Sequence, residues 1–136
     1  MSTDLSDKEL RYEVVGACMD VHRALGNHLL EKVYKLVLAY ELRSRGLQVN
    51  TEDPIAIKYK DLYIPDGLRA DIVVENRIII ELKAVQNGIQ REHIRQLQTY
   101  MDLTDISMGV LVNFGAERLM SGGFVNLPIA PPFSVV

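Results

Sequence analysis

The sequence predicts an α/β fold in which helices flank a mixed central sheet. Three observations carry this. Two long segments near the N-terminus repeat apolar residues at helical spacing. Four segments between residues 47 and 84 read as strands, by period-two alternation or as short runs rich in Ile and Val. A third helical segment then interrupts the strands before one more apolar run. The expected order is α, α, β, β, β, β, α, β, with a further short strand near the C-terminus, and helices covering a sheet follow from it.

The first helix starts near Ser6, an N-cap residue followed three positions later by Glu9 in the capping-box pattern. Val14, Val15, Cys18, Met19 and Val21 form its apolar side, and Gly26 can end it. The second helix spans about 29–45, with Gly46 as its stop. Leu30, Val33, Val37 and Tyr40 give one apolar stripe; Tyr34, Leu38 and Leu42 give another. Glu31 stands at helical spacing from Tyr34, Lys35, Leu38 and Leu42, so its carboxylate lies on or beside an apolar face. Dipole complementarity in the first turn explains Glu31 when it is taken alone.

"LQVNT" (47–51) is a short strand, and "IAIKYK" after Pro54 alternates as a second. "DLYIPDG" reads as a loop or edge turn. "RADIVVENRIIIELKA" (69–84) supplies two strands and the turn between them. "NGIQREHIRQLQTYMDL" returns to helical period with Ile94, Leu97 and Met101 apolar, and "ISMGVLVNFG" reads as a buried strand. The last segment, with its Gly pair and three prolines, suggests an edge strand and a surface tail.

No repeat, low-complexity segment or linker interrupts the chain. One domain over 1–136 is expected, with a core of about 8–127 and a tail of 128–136. A chain of 136 residues with 48% hydrophobic content is long and apolar enough to bury a core. The net charge of -3 excludes a generic polycation that coats nucleic acid, so any polyanion must be met by a local basic patch or by bound cations. One cysteine, Cys18, allows no intrachain disulfide, and its apolar setting suggests a buried thiol. No run reaches the length of a membrane span, and the polar, acidic N-terminus is unlike a secretion signal, so a cytoplasmic location is expected.

The hairpin in 69–84 raises a chemical question, because Asp71, Glu81 and Lys83 stand among Ile and Val. Two registers fit. A two-residue loop pairs Val74 with Arg77 and mixes apolar and charged side chains on both faces. A three-residue loop (Glu75, Asn76, Arg77) sets Val74 against Ile78, Ile72 against Ile80 and Ala70 against Leu82. That makes one face wholly apolar, and register follows the hydrophobic pattern. Asp71 then faces Glu81 with Cβ atoms roughly 5 Å apart, and Lys83 lies beside Glu81. Two carboxylates that close need a cation or a shared proton. Lys83 can serve, and a hard divalent cation such as Mg²⁺ serves better. The alternative is a ladder of solvated charges. Val73 and Ile79 on the same face argue against it.

An acid on one hairpin strand and E-x-K on the next, in an αβββαβ order, resembles the PD-(D/E)xK nuclease superfamily. Within it the chain is similar to the small GxxExxY proteins. The similarity runs from about Tyr12 to Asn126 through "GACMDVHRALGNHLLEKVY", "RADIVVENRIIIELKAV", "EHIRQLQTYM" and "GVLVNFG". The resemblance implies a restriction-endonuclease-like domain. It implies a Mg²⁺ or Mn²⁺ site made by Asp71, Glu81 and the carbonyl of Leu82, with Glu31 as the first-helix glutamate that often joins them. Lys83 would orient or activate the attacking water. Gln96 and Tyr100 match a Q-x-x-x-Y element that contacts phosphate or supports the site. His93 shares their helix face, opposite the core stripe, as a substrate-binding or supporting group.

His22 matches a "VHR" block and reads as structural. His28 stands where the family name has its glycine, where it could crowd the site, add a ligand or cap the helix. Ala70 replaces the proline before Asp71. A literal Pro65-Asp66 occurs, but Asp66 falls in the turn before the strand, away from Glu81.

The implied activity is metal-dependent phosphodiester hydrolysis with DNA as the expected substrate. The alternative is a module of the same fold that binds nucleic acid or protein without cutting, and a third reading is a structural oligomer whose acids pair with a neighbour's lysines. Arg69, Arg91 and Arg95 could supply phosphate contacts. A homodimer would give two sites for a duplex, and the tail "PIAPPFSVV" could pack on a partner.

Overall fold

The computed structural model describes residues 4–128. Helices α1 (Asp7–Leu25) and α2 (Glu31–Ser44) precede strands β1 (Val49–Tyr59), β2 (Leu62–Val74) and β3 (Ile78–Lys83). Helix α3 (Arg91–Thr104), β4 (Met108–Asn113) and β5 (Phe124–Leu127) follow. The sheet order is β1-β2-β3-β4-β5, with β3 and β4 parallel and the other neighbours antiparallel. The expected αβββαβ core is therefore present as α2-β1-β2-β3-α3-β4, in a restriction-endonuclease-like α/β arrangement.

Alternation along the central strands divides the core in two. Ile78, Ile80 and Leu82 point with Val110 and Val112 toward α1 and α2, where Leu10, Val14, Cys18, Tyr34, Leu38 and Leu42 cover them. Ile79 and Leu111 point the other way, onto Leu97 and Tyr100 of α3. Because both faces are covered, β3 and β4 read as continuous apolar runs rather than alternating ones. The caps of α1 match expectation: Ser6 and Glu9 exchange side-chain bonds to each other's backbone N–H, and Gly26 ends the helix at φ 77°. Cys18 is buried, and burial pushes its thiol up to about 12. Arg45 ties α2 to α1 by ion pairs to Glu13 and Asp20.

Two strand expectations change. The segments 47–51 and 55–60 are not two strands: 49–59 forms the single strand β1, with Pro54 inside it opposite Arg69. β1 lies at the sheet edge, where a missing backbone N–H costs little. "DLYIPDG" is not a loop, because 62–67 belongs to β2; the turn is Lys60 and Asp61, with Lys60 at φ 52°.

The two stripes of α2 differ in fate. Tyr34, Leu38 and Leu42 are buried, whereas Leu30 and Tyr40 are exposed. Facing the sheet takes only one stripe. Ala70 does not pack with Leu82 as expected; it packs with Val73 and Ile79 on the α3 side. Its neighbour Asp71 instead meets β3 through its side chain. The tail from 129 onward, including its expected role against a partner, lies outside the described residues.

Candidate active site

The β2–β3 hairpin adopts the three-residue register: Val74 pairs with Ile78, Val73 with Ile79 and Ile72 with Ile80. One step further, at Asp71 and Glu81, the carboxylates take over from the backbone. The Asp71 N–H donates to Glu81 Oε1 at 3.1 Å, and the Leu82 N–H donates to Asp71 Oδ2 at 3.0 Å. Each acid is thus fixed by the backbone of the opposite strand. Glu81 is only 5% exposed. Burial and then the Asp71 charge push its pKa up to about 8, against the pull of the Asp71 N–H and of Lys83.

Further charges surround this pair. Lys35 of α2 reaches Asp71 Oδ1 at 3.3 Å and also pairs with Glu52 of β1. Glu31, the first residue of α2, is half-buried. Its pKa is raised by burial and by Asp71, while Lys83 and Lys35 lower it. Dipole complementarity therefore does not exhaust the role of Glu31, which feels the charge of Asp71 on the hairpin. Tyr34 anchors the start of α2: its hydroxyl donates to Gly26 O and accepts from the Leu29 N–H, and its ring stacks on Phe114 at 4.6 Å.

On the other side, Tyr100 of α3 is buried, and its hydroxyl accepts a bond from Gln96 Nε2 at 2.9 Å. Burial raises the Tyr100 pKa, and Glu81 and Asp71 raise it further, so the phenol faces the acid pair. Tyr100 does not lie opposite the core stripe, because a residue three after Leu97 is its neighbour on the helix surface.

The strand end that carries Lys83 is fixed by buried Asn113, whose side chain bonds to both the N–H and the C=O of Val85 and accepts from the Gly115 N–H. A Cβ on Gly115 would come within 2.4 Å of Val85 O, so only glycine permits this close turn.

Asp71, Glu81, Lys83, Glu31, Gln96 and Tyr100 thus come together. Glu31 does not complete a ligand set as it stands. Among the described residues, no three His, Cys, Asp or Glu side chains converge closely enough to hold a metal ion. His93 uses its Nδ1 to accept from the Gln90 N–H where α3 begins. Arg69 bonds to Asp66 and to Glu52 O. Arg91 and Arg95 are exposed on α3. His22 bonds Ala116 O at 2.8 Å, as a structural histidine would. His28 is exposed and does not cap α2, whose N-cap is Leu30.

Sequence reasoning missed Lys35 and Glu52. Lys35 was visible only as the i+4 partner of Glu31, and Glu52 only after the β1–β2 register is known.

The donor set fits a hard divalent cation in part. A buried Glu81 and a partly buried Asp71 held against each other, Glu81 with a strongly raised pKa, form a site that positive charge would stabilise, and both offer oxygen donors. A cleft of about 830 Å³ lies elsewhere, between β1–β2 and the end of α3, and does not include Asp71, Glu81 or Lys83.

A model of the PD-(D/E)XK nuclease superfamily matches residues 8–124. The chain belongs to this superfamily. Its members are usually nucleases, so nuclease-type function and a nucleic-acid substrate are the superfamily's indication for this chain. Such nucleases generally use Mg²⁺ or Mn²⁺. No curated protein and no solved structure is significantly similar to it. No helix among the described residues is long and apolar enough to cross a membrane.

Proposed function

We propose that this protein is a metal-dependent nuclease of the GxxExxY group, acting as one cytoplasmic domain on phosphodiester bonds, with DNA as substrate. The observation that carries the reading is the opposed pair of partly buried Asp71 and buried Glu81, cross-fixed to the hairpin backbone and flanked by Lys83. Asp71, Glu81 and the Leu82 carbonyl would hold Mg²⁺ or Mn²⁺, with Glu31 adding negative charge nearby. Bound there, the ion supplies the charge that polarises a phosphate and lowers the pKa of water.

This chain's residues do the rest. Lys83 orients the attacking water and stabilises charge developing on the phosphate. In the metal-free chain the raised pKa of Glu81 lets it hold a proton near neutral pH, a proton it would give up on ligating the ion. Gln96 and Tyr100 act as a pair, the amide fixing the phenol beside the acids. His93 supports the start of α3, and Arg69, Arg91 and Arg95 serve as outlying phosphate contacts. A homodimer would present two sites to a duplex.

The test is calorimetric titration of Mg²⁺ and Mn²⁺ into the native chain and Glu81→Ala, beside cleavage of labelled single- and double-stranded DNA. Binding and cutting are expected in the native chain, and Glu81→Ala should lose at least a hundredfold in cleavage, about 3 kcal/mol or more of transition-state stabilisation. A native chain that binds neither ion would overturn the reading.

One observation favours a second reading, a module that binds nucleic acid without cutting. Lys35 already places an ammonium at Asp71, and among the described residues no third acid closes the site. Metal-independent DNA binding with no cleavage under any metal would decide for it.

A further inference from the structure

Strand β2 has two neighbours over only part of its length. It pairs with β3 at 72–74 but with β1 from Leu62 to Val74. Because β1 is the sheet edge, the outer parts of β1 and β2 leave the sheet as a two-stranded arm. Every residue from 58 to 67 is exposed. The arm is rooted where Asp71 and Glu52 stand, and it extends from there past the end of β3.

Its shape is built in. Ile55 pairs with Leu68 but Ile57 with Ile64, so Pro65, Asp66 and Gly67 bulge out opposite Ala56 and bend the arm. Gly67 is required there, since a Cβ would lie 2.4 Å from Ile57 Cγ1.

The tip carries an uncommon combination. Tyr59 and Leu62 pair on one face; Lys58 and Tyr63 pair on the other. Tyr59 is 63% exposed, Tyr63 and Leu62 each 56%. An ammonium accompanies each ring: Lys60 Nζ lies 5.3 Å from the Tyr59 centroid, and Lys58 Nζ 5.8 Å from that of Tyr63. Such exposed cation–π contacts are weak and readily exchanged.

Two occupants could cover such a tip. In a seam between two copies, twofold symmetry would draw the tips' own lysines toward one another, and lysine is depleted from protein interfaces. A nucleic-acid strand that passes around the end of the arm can meet both faces, Tyr59 on one and Lys58 with Tyr63 on the other, with Lys60 at the turn between them. Its bases stack on tyrosine rings, and its phosphates attract ammonium groups. The chain also needs such an element: its net charge is -3, and Glu31, Glu52, Asp71 and Glu81 outnumber Lys35 and Lys83 around the candidate site.

We propose that the β1–β2 arm grips an unpaired nucleic-acid strand beside the acid cluster. Tyr59 and Tyr63 stack on bases, and Lys58 and Lys60 meet flanking phosphates. This deepens the nuclease reading and rests on it, because it names single-stranded segments as the substrate form.

The test is fluorescence anisotropy with Mg²⁺ present, using labelled phosphorothioate oligonucleotides, which resist hydrolysis, as a single strand and as a duplex of equal length. The native chain should bind the single strand more tightly. Tyr59→Ala/Tyr63→Ala should weaken that binding roughly tenfold or more. Lys58→Gln/Lys60→Gln should lower the slope of log K against log salt by about 1.4. Melting temperatures within about 2 °C of native would show that both variants fold, as expected for side chains outside both cores.

Unchanged single-strand binding by both variants, or a native preference for duplex, overturns the arm proposal and leaves the nuclease reading intact. A tyrosine variant that changes native mass on size exclusion while binding DNA as before would identify a protein seam and also overturn it. If the native chain binds neither DNA form, the nuclease reading falls and the arm proposal falls with it.

Discussion

The two halves of β2 have opposite surroundings although they form one continuous strand. Residues 62–67 are exposed throughout, whereas 70 and 72–74 are buried. Apolar content alone does not separate them: Leu62, Tyr63 and Ile64 are exposed while Ile72, Val73 and Val74 are buried. The partners separate them. The C-terminal half lies between β1 and β3 with helices on both faces; the N-terminal half has only β1 beside it. Asp71 stands at the boundary, where pairing of β2 with β3 passes from backbone to carboxylate. Acids can be held nearly dry there because the backbone of the opposite strand is still in reach, and a substrate can approach because the sheet narrows beyond them.

The largest expected effect tests that contrast directly. Ile80→Ala removes a fully buried side chain from beneath α1 and α2 and should destabilise the fold by about 2–5 kcal/mol. Leu62→Ala removes a larger apolar group than many core truncations do, yet should change stability by no more than about 0.5 kcal/mol. Urea unfolding of both variants checks this. Similar losses at the two sites would mean that the arm is packed against something in solution.

A second effect isolates the boundary. Glu81 has a folded-state pKa raised from 4.5 to about 8. A group raised on folding contributes stability that is fully present below the unfolded value and is lost as pH rises through the folded value. The metal-free native chain should therefore lose stability between about pH 4.5 and pH 8. Glu81→Gln carries no such charge and should not follow. Its melting temperature should match the native one near pH 5 and exceed it by roughly 5 °C at pH 8.5. Mg²⁺ should close that gap from the native side. Parallel pH curves for the two proteins would mean that Glu81 is ionised at little cost and that its burial is offset elsewhere.

The same contrast explains what the sequence made legible. The β2–β3 register followed from a single requirement, that one face be wholly apolar, and the opposition of Asp71 and Glu81 came with it. Helix α1 was legible because its cap is local, Ser6 to Glu9. The arm was not. "DLYIPDG" contains the Asp, Pro and Gly that mark turns, and only pairing with β1 turns it into a strand. Ala70 is illegible for a related reason: strict alternation does not hold past Ile72, where the described pairing with β3 ends. Lys35 and Glu52 were illegible because their meaning depends on a tertiary distance, that of α2 and β1 from Asp71. A spacing rule sees Lys35 only as a neighbour of Glu31 on its own helix.

The smallest expected effect concerns that hidden pair. Lys35 lies 3.3 Å from Asp71 Oδ1 and also pairs with Glu52, and both its own side chain and that of Asp71 are largely shielded from water. A divalent ion at Asp71 would meet Lys35 as a like charge. Lys35→Gln should therefore tighten Mg²⁺ binding roughly fivefold to tenfold, about 1 kcal/mol, in calorimetric titration. Glu52 gives a sharper version. If Lys35 swings fully onto Glu52 when the ion binds, Glu52→Gln should weaken Mg²⁺ binding in the native background and do nothing in the Lys35→Gln background. If Glu52 acts only through its own charge, the two changes should simply add. Weaker Mg²⁺ binding in Lys35→Gln would reverse the assignment: Lys35 would then be holding Asp71 in its ligating position, and the boundary between the two halves of β2 would depend on α2 as much as on β3.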